Sequence, residues 1–126
     1  MKVLFAAAEV APFSKAGGLA DVVGSLPKYL EKDAEIAIFT PLHGLIDQKK
    51  YDIKELENSS MWLTFGNKGH KFRLFMAKLP GTNINVFFVH NDWYFTCFKE
   101  VYPKWLDPEY EHERYIAFSL AVMEYA

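Results

Sequence analysis

The chemistry of this 126-residue chain is concentrated in the thirteen residues from Glu9 to Asp21, EVAPFSKAGGLAD. Adjacent Gly17 and Gly18 let the backbone approach a ligand closely and expose amide N–H groups. Lys15, just ahead of them, can bring a full positive charge to the same anion. A helix that begins directly after the glycines adds the partial positive charge of its N-terminus. Together these groups suit a diphosphate. Asp21 reads either as a ligand contact or as an acidic residue of the helix's first turn. The spacing is neither the P-loop pattern, which ends in Gly-Lys-Ser/Thr, nor the dinucleotide Gly-x-Gly-x-x-Gly. Residue chemistry alone therefore leaves two readings open, a diphosphate site and a Gly-Gly turn beside a solvated lysine.

Other chemistries find little support. His43, His70, His90 and His112 show no ligand spacing, and no Asp-x-Asp sequence occurs, so neither a metal nor another cofactor is expected. No Gly-x-Ser-x-Gly elbow marks a serine nucleophile. Cys97 is the single cysteine and allows no internal disulfide. Trp93 and Trp105 have the residue type that stacks on sugar rings, but also the type that fills cores and interfaces. Fourteen basic against sixteen acidic residues give a net charge of -2, which argues against nucleic-acid or polybasic membrane binding. No apolar run approaches the roughly 20 residues of a membrane span, and the N-terminus does not read as a signal peptide. A cytoplasmic setting is expected.

The elements that position the motif follow from periodicity. Val3–Ala8 is a continuous apolar run, the pattern of a strand buried on both faces. Leu19, Val22, Val23, Leu26 and Leu30 recur at helical spacing, with Pro27 predicting a kink or a split near Gly24–Ser25. Glu35–Thr40 is a second strand ended by Pro41, completing a βαβ unit. Met61–Phe65 and Lys71–Lys78 read as a hairpin around Gly66-Asn67-Lys68-Gly69, and Asn85–Val89 as a further buried strand after the Pro80-Gly81 turn. Asp47–Lys54 reads as a solvated loop, and the aromatic-rich Asp92–Pro108 as a surface loop with short helical pieces. A last helix from Glu109 to Tyr125 is acidic at its start and apolar nearly all round beyond Tyr115, as if buried on several sides. The fold class is α/β: a Rossmann-like three-layer domain, mainly parallel, with a β-hairpin insertion.

The segment Lys15-Ala16-Gly17-Gly18-Leu19-Ala20-Asp21-Val22-Val23-Gly24-Ser25-Leu26-Pro27 closely resembles the Lys-x-Gly-Gly-Leu-Ala-Asp-Val signature of bacterial glycogen synthases and plant starch synthases. Lys2-Val3-Leu4-Phe5, Glu9-Val10-Ala11-Pro12-Phe13, His90-Asn91-Asp92-Trp93-Tyr94-Phe95 and the helix beginning Glu113-Arg114-Tyr115 are also similar to that family. The resemblance implies a two-domain GT-B fold and retaining transfer of glucose from ADP-glucose to the non-reducing end of an α-1,4-glucan. It implies Lys15 as the donor-phosphate cation, with the Gly17 and Gly18 amides beside it. Glu9 and Tyr94 match positions near the family's sugar-binding cleft.

The resemblance also implies that residues 1–126 form only part of an N-terminal domain, with the C-terminal nucleotide-binding domain absent. Glucan synthesis by these residues alone is not expected, and the apolar last helix predicts a homo-oligomer. Locally, Glu31-Lys32-Asp33-Ala34 is shorter than the family's turn and lacks its glycine. The reading of a different class is a free-standing, non-catalytic module that binds a phosphate or nucleotide sugar, or pairs with another subunit.

Overall fold

The computed structural model describes residues 1–65 and 67–126. Six strands are connected into one sheet: β1 (Lys2–Ala6), β2 (Glu35–Pro41), β3 (Lys54–Glu55), β4 (Met61–Phe65), β5 (Lys68–Lys78) and β6 (Asn85–His90). The order is β1-β2-β6-β5-β3, with β4 also pairing with β5. β1, β2 and β6 run parallel. β5 joins β6 antiparallel and carries β3 and β4 on its other side, also antiparallel. The hairpin therefore extends a parallel half-sheet, as the alternating and continuous apolar runs require.

Two helices cover the two faces, which gives the three layers. α1 (Gly18–Leu30) places Val23 and Leu30 over Val3, Phe5, Ile36, Ile38, Val86 and Phe88. α2 (Pro108–Tyr125) places Ala117, Phe118, Ala121 and Val122 over Phe39, Phe72, Leu74, Phe87 and Val89. Neighbouring residues of one strand thus belong to opposite cores, the consequence of a two-residue repeat. α2 starts cleanly because Asp107 accepts a hydrogen bond from the Glu109 N–H and Pro108 occupies the first turn, where no intrahelical donor is needed.

Five details differ from the reading of the sequence. β1 is an edge strand with Leu4 exposed, because α2 does not reach across it; a groove of about 640 Å³ lies there instead, walled by Leu4, Ala37, Phe39, Phe87 and Tyr125. α1 runs unbroken through Pro27: a proline removes one backbone bond, and here the ring is buried rather than left in solvent. β5 begins at Lys68, so the hairpin turn is shorter than the expected Gly66–Gly69; Gly66 itself lies outside the described residues. Lys54 starts a two-residue strand, with Ile46 and Ile53 buried around the supposed solvated loop. The segment after β6 is not superficial: a π-helical turn (Asp92–Thr96) buries Tyr94 and Phe95 completely, and Asn91 caps it by accepting from the Tyr94 N–H at 2.8 Å. The outer face of α2 stays bare, with Ile116, Leu120 and Met123 exposed.

Candidate functional site

Because β1, β2 and β6 are parallel, their carboxyl ends share one edge of the sheet, where ligands of open α/β sheets bind. β1 is carried past Ala6 by a bond from the Ala7 N–H to the Phe39 carbonyl, 3.0 Å. The chain then turns back on itself, with the Val10 N–H donating to Ser14 Oγ (3.1 Å) and the Ser14 N–H to the Val10 carbonyl (2.9 Å). The Ala11 N–H reaches the Ala20 carbonyl on α1 at 3.0 Å. Gly24 makes this docking of strand exit on helix feasible, since a Cβ there would stand 2.6 Å from the Ala11 carbonyl oxygen.

Glu9 ends up inside the turn, only 2% exposed. Its Oε2 accepts from the Ala16 N–H and, at 3.2 Å, from the Gly17 N–H. The carboxylate therefore organises the loop that carries Lys15, and it takes the Gly17 amide that the sequence suggested for a phosphate. In this structure that amide serves the loop's own shape. Gly18 is different, because a Cβ built on it would meet nothing within 4 Å. No side chain caps α1 at Gly17, so the first-turn amides have no capping side-chain acceptor there. Lys15 Nζ lies 2.9 Å from Asp21 Oδ2, with both side chains more than half exposed. Asp21 thus sits in the first turn of α1 and holds the lysine beside the helix end.

Tyr94 does not join this group. Its side chain is fully buried between the sheet and α2, with its hydroxyl 3.2 Å from His70 Nε2 and 3.3 Å from Glu113 Oε2. Burial, then the Glu113 charge, push its phenol well above the ordinary value. Here its side chain packs between sheet and helix rather than lining the open edge beside Lys15; an aromatic-rich stretch without a period gave no means of telling wall from core.

Four residues singled out by no chemical motif reach the site from elsewhere. His43, just beyond β2, donates from Nε2 to the Ala8 carbonyl at 2.7 Å and so clamps the residue before Glu9. Gly44 lets the segment after β6 press against this corner, since a Cβ there would lie 2.3 Å from the Phe98 carbonyl oxygen. Tyr102 is 38% exposed, and after burial of its hydroxyl the Glu9 carboxylate is the next cause that pushes its phenol up. Arg114 of α2 holds that segment, donating from Nε to the Tyr94 carbonyl (2.7 Å) and from Nη2 to the Val101 carbonyl (3.3 Å). Only the placement of Arg114 in the Glu113-Arg114-Tyr115 similarity hinted at it.

The profile of the starch synthase catalytic domain matches residues 2–126. The chain belongs to the starch synthase catalytic domain family. Its relatives include the glycogen synthase of Thermotoga maritima, 39% identical over 107 residues, covering 81% of this chain and 22% of that protein. The glycogen synthase of Streptococcus agalactiae serotype Ia is 38% identical over 125 residues, covering 98% and 25%. In structure the chain is similar to the catalytic domain of starch synthase IV from Arabidopsis thaliana, solved bound to ADP and acarbose, with a TM-score of 0.80 and 27% identity over 98% of this chain and 24% of that one. The chain thus spans about a quarter of the length of these relatives. A starch synthase relationship agrees with the three-layer α/β fold and the Lys-x-Gly-Gly loop at the end of β1.

The part assigned to Glu9 is directly testable. Glu9→Ala removes a carboxylate acceptor from two main-chain donors, and such bonds are worth about 1.5–3 kcal/mol each net of exchange with water, toward the low end for a part-exposed pair. A loss of about 3 kcal/mol in urea unfolding is expected, and about half of that for Glu9→Gln, which keeps an acceptor oxygen. Two variants as stable as the parent chain would show that the carboxylate does not organise the loop.

Proposed function

We propose that this chain is the donor-phosphate part of a glycogen (starch) synthase, an enzyme that transfers glucose from ADP-glucose to the non-reducing end of an α-1,4-glucan with retention of the α-anomer. The observation that carries the reading is the open space over Gly18 at the uncapped start of α1, with Lys15 beside it. Nothing inside the chain requires that glycine to lack a side chain, whereas a diphosphate approaching the helix end does. As the bond from glucose to ADP breaks, negative charge grows on the diphosphate. A cation and amide donors already aimed there stabilise that charge more than they stabilise the ground state.

In this mechanism Lys15 exchanges its Asp21 partner for the diphosphate, while Gly18 and the first-turn amides receive the oxygens. The Gly17 amide stays with Glu9, whose task is to hold the loop. Tyr94 acts from behind the site by packing, not by contact. A GT-B enzyme orients donor and acceptor between two domains, so the reading includes a C-terminal nucleotide-binding domain beyond this part and a cytoplasmic enzyme. No helix is long and apolar enough to cross a membrane. The exposed stripes Leu19, Val22, Leu26 on α1 and Ile116, Leu120, Met123 on α2 support pairing with further protein surface, including a second copy.

Calorimetric titration with ADP and ADP-glucose tests the loop. Both should bind the chain weakly, and Lys15→Ala should weaken them about tenfold, the value of roughly one charge-assisted contact at an exposed site. Unchanged affinity in Lys15→Ala would sink the assignment. Labelled glucose should not pass from ADP-glucose to glycogen on these 126 residues alone.

A further inference from the structure

Three buried polar atoms on the α2 side of the sheet have no hydrogen-bond partner among the described residues: His43 Nδ1, Arg114 Nη1 and the Tyr115 hydroxyl. Arg114 is 0% exposed and His43 1%, and buried groups of this kind are as a rule satisfied by protein or by an ordered water. Phe95 is the neighbour common to all three. Its ring centre lies 4.9 Å from Arg114 Cζ, 5.8 Å from the centre of the His43 ring and 6.2 Å from that of Tyr115. Arg114 and Tyr115 are consecutive on α2, with Cζ 5.6 Å from the phenol ring centre. Burial lowers the His43 pKa and raises that of Tyr115, and the Arg114 charge acts on both. Thr40 Oγ1 is also unpartnered among the described residues, but it follows Phe39 of the α2 core on β2 and so faces α1.

We propose that these three groups bind one internal water, which bridges Arg114 Nη1, His43 Nδ1 and the Tyr115 hydroxyl at a site distinct from the Lys15 loop. The site is independent of the activity proposed above. What the three atoms can do selects the occupant. A guanidinium only donates. His43 is neutral, and its proton is on Nε2, which donates to the Ala8 carbonyl at 2.7 Å. Its Nδ1 therefore only accepts. An anion would suit Arg114 but would meet the lone pair of His43. A metal cation would suit that lone pair but would meet the guanidinium. Water accepts from Arg114 Nη1 and gives its two protons to His43 Nδ1 and the Tyr115 oxygen. About three bonds is the usual complement of a buried water.

The water completes a line of polar contacts from α2 to the exit of β1. It donates to His43, and His43 donates to the carbonyl of Ala8. The next residue, Glu9, accepts from the Ala16 and Gly17 amides. A bridging water is enthalpically nearly as good as a direct bond, so α2 takes hold of this corner without a side chain long enough to reach it. The bridge also fixes the His43 tautomer, because a proton on Nδ1 would oppose the water's own.

Nuclear Overhauser spectra of the isotope-labelled chain test the site. A held water gives cross-peaks with the sign of the protein's own, whereas rapidly exchanging surface water does not. Such cross-peaks are expected at the water frequency from the Arg114 guanidinium and from the ring protons of His43 and Tyr115. The His43 ring nitrogens should read as a protonated Nε2 and a hydrogen-bonded acceptor Nδ1. Tyr115→Phe removes one partner of the water and should raise the unfolding equilibrium constant about fivefold, the worth of one ordinary hydrogen bond. Absence of the cross-peaks overturns the site. Tyr115→Phe as stable as the parent chain, or more stable, would show the hydroxyl to be simply unpaired and would overturn the three-way bridge. His43 signals that move with bromide concentration at constant ionic strength would make the occupant an anion and overturn the assignment as well.

Discussion

Replacing Arg114 with alanine will cost the chain about 4 kcal/mol, the largest effect expected of any substitution around the site. Arg114 is fully buried, and no acidic residue forms an ion pair with it among the described residues. Its partners are two main-chain carbonyls, those of Tyr94 and Val101, and the rings of Phe95, Phe98 and Tyr115, whose centroids lie 4.9–5.6 Å from its Cζ. Truncation leaves both carbonyls without donors, at about 1–3 kcal/mol each, and opens a cavity under the aromatic cluster. Against this stands the relief of a buried charge that no carboxylate neutralises.

Arg114→Met separates the two effects. It fills much of the volume, removes the charge and still strands the carbonyls, so a loss of about 2 kcal/mol is expected. A methionine variant more stable than the parent would mean that the desolvation of the guanidinium outweighs its hydrogen bonds, and that Arg114 is not the support of the segment from Tyr94 to Val101. Urea unfolding of both variants, compared at equal slope, reads the difference. The consequence for function is local. That segment leads directly into Tyr102, beside Glu9, so Arg114 is a positioning residue, and Arg114→Met should weaken ADP binding less than it lowers stability.

Where the chain's chemistry depends on sequence neighbours, it was legible. Lys15, the two glycines and the helix after them lie within a few residues, and their spacing already offers the anion cradle proposed above as one of two readings. The same holds for β1, β2, β6 and the two helices, each announced by an apolar run or a helical period. Legibility failed where a partner arrives from far along the chain. Glu9 reads as a cleft carboxylate until the fold brings the Ala16 and Gly17 amides onto it. His43 and Tyr102 carry no local signal, because the ends of β2 and β6 bring them to the end of β1. Tyr94 and Phe95 have no periodicity to announce burial, and only α2, folding over them, turns an apparent loop into core.

Acid should loosen the site through His43. The ring is 1% exposed, and its Nε2–H is held by the Ala8 carbonyl. Burial, partly offset by the Ala8 bond and assisted by Arg114, lowers its pKa from 6.5 to about 4. In the unfolded chain the ring takes a proton near pH 6.5; in the folded chain it does so only near pH 4. Between those values the unfolded state binds more protons, so stability falls as pH falls, and below pH 4 the penalty no longer grows. The full window is worth about 3 kcal/mol. His70 and His90, both lowered chiefly by burial, act with the same sign. His43→Gln keeps a donor for the Ala8 carbonyl and removes the titration, so its stability should be flatter between pH 6.5 and 4 by about that amount. Identical slopes in parent and variant would clear His43 of any part in acid unfolding. Because Ala8 is the residue before Glu9, the local opening that lets the buried ring take its proton also frees the start of the proposed phosphate loop. ADP affinity of the parent chain should therefore decline across this window, and that of His43→Gln should decline less.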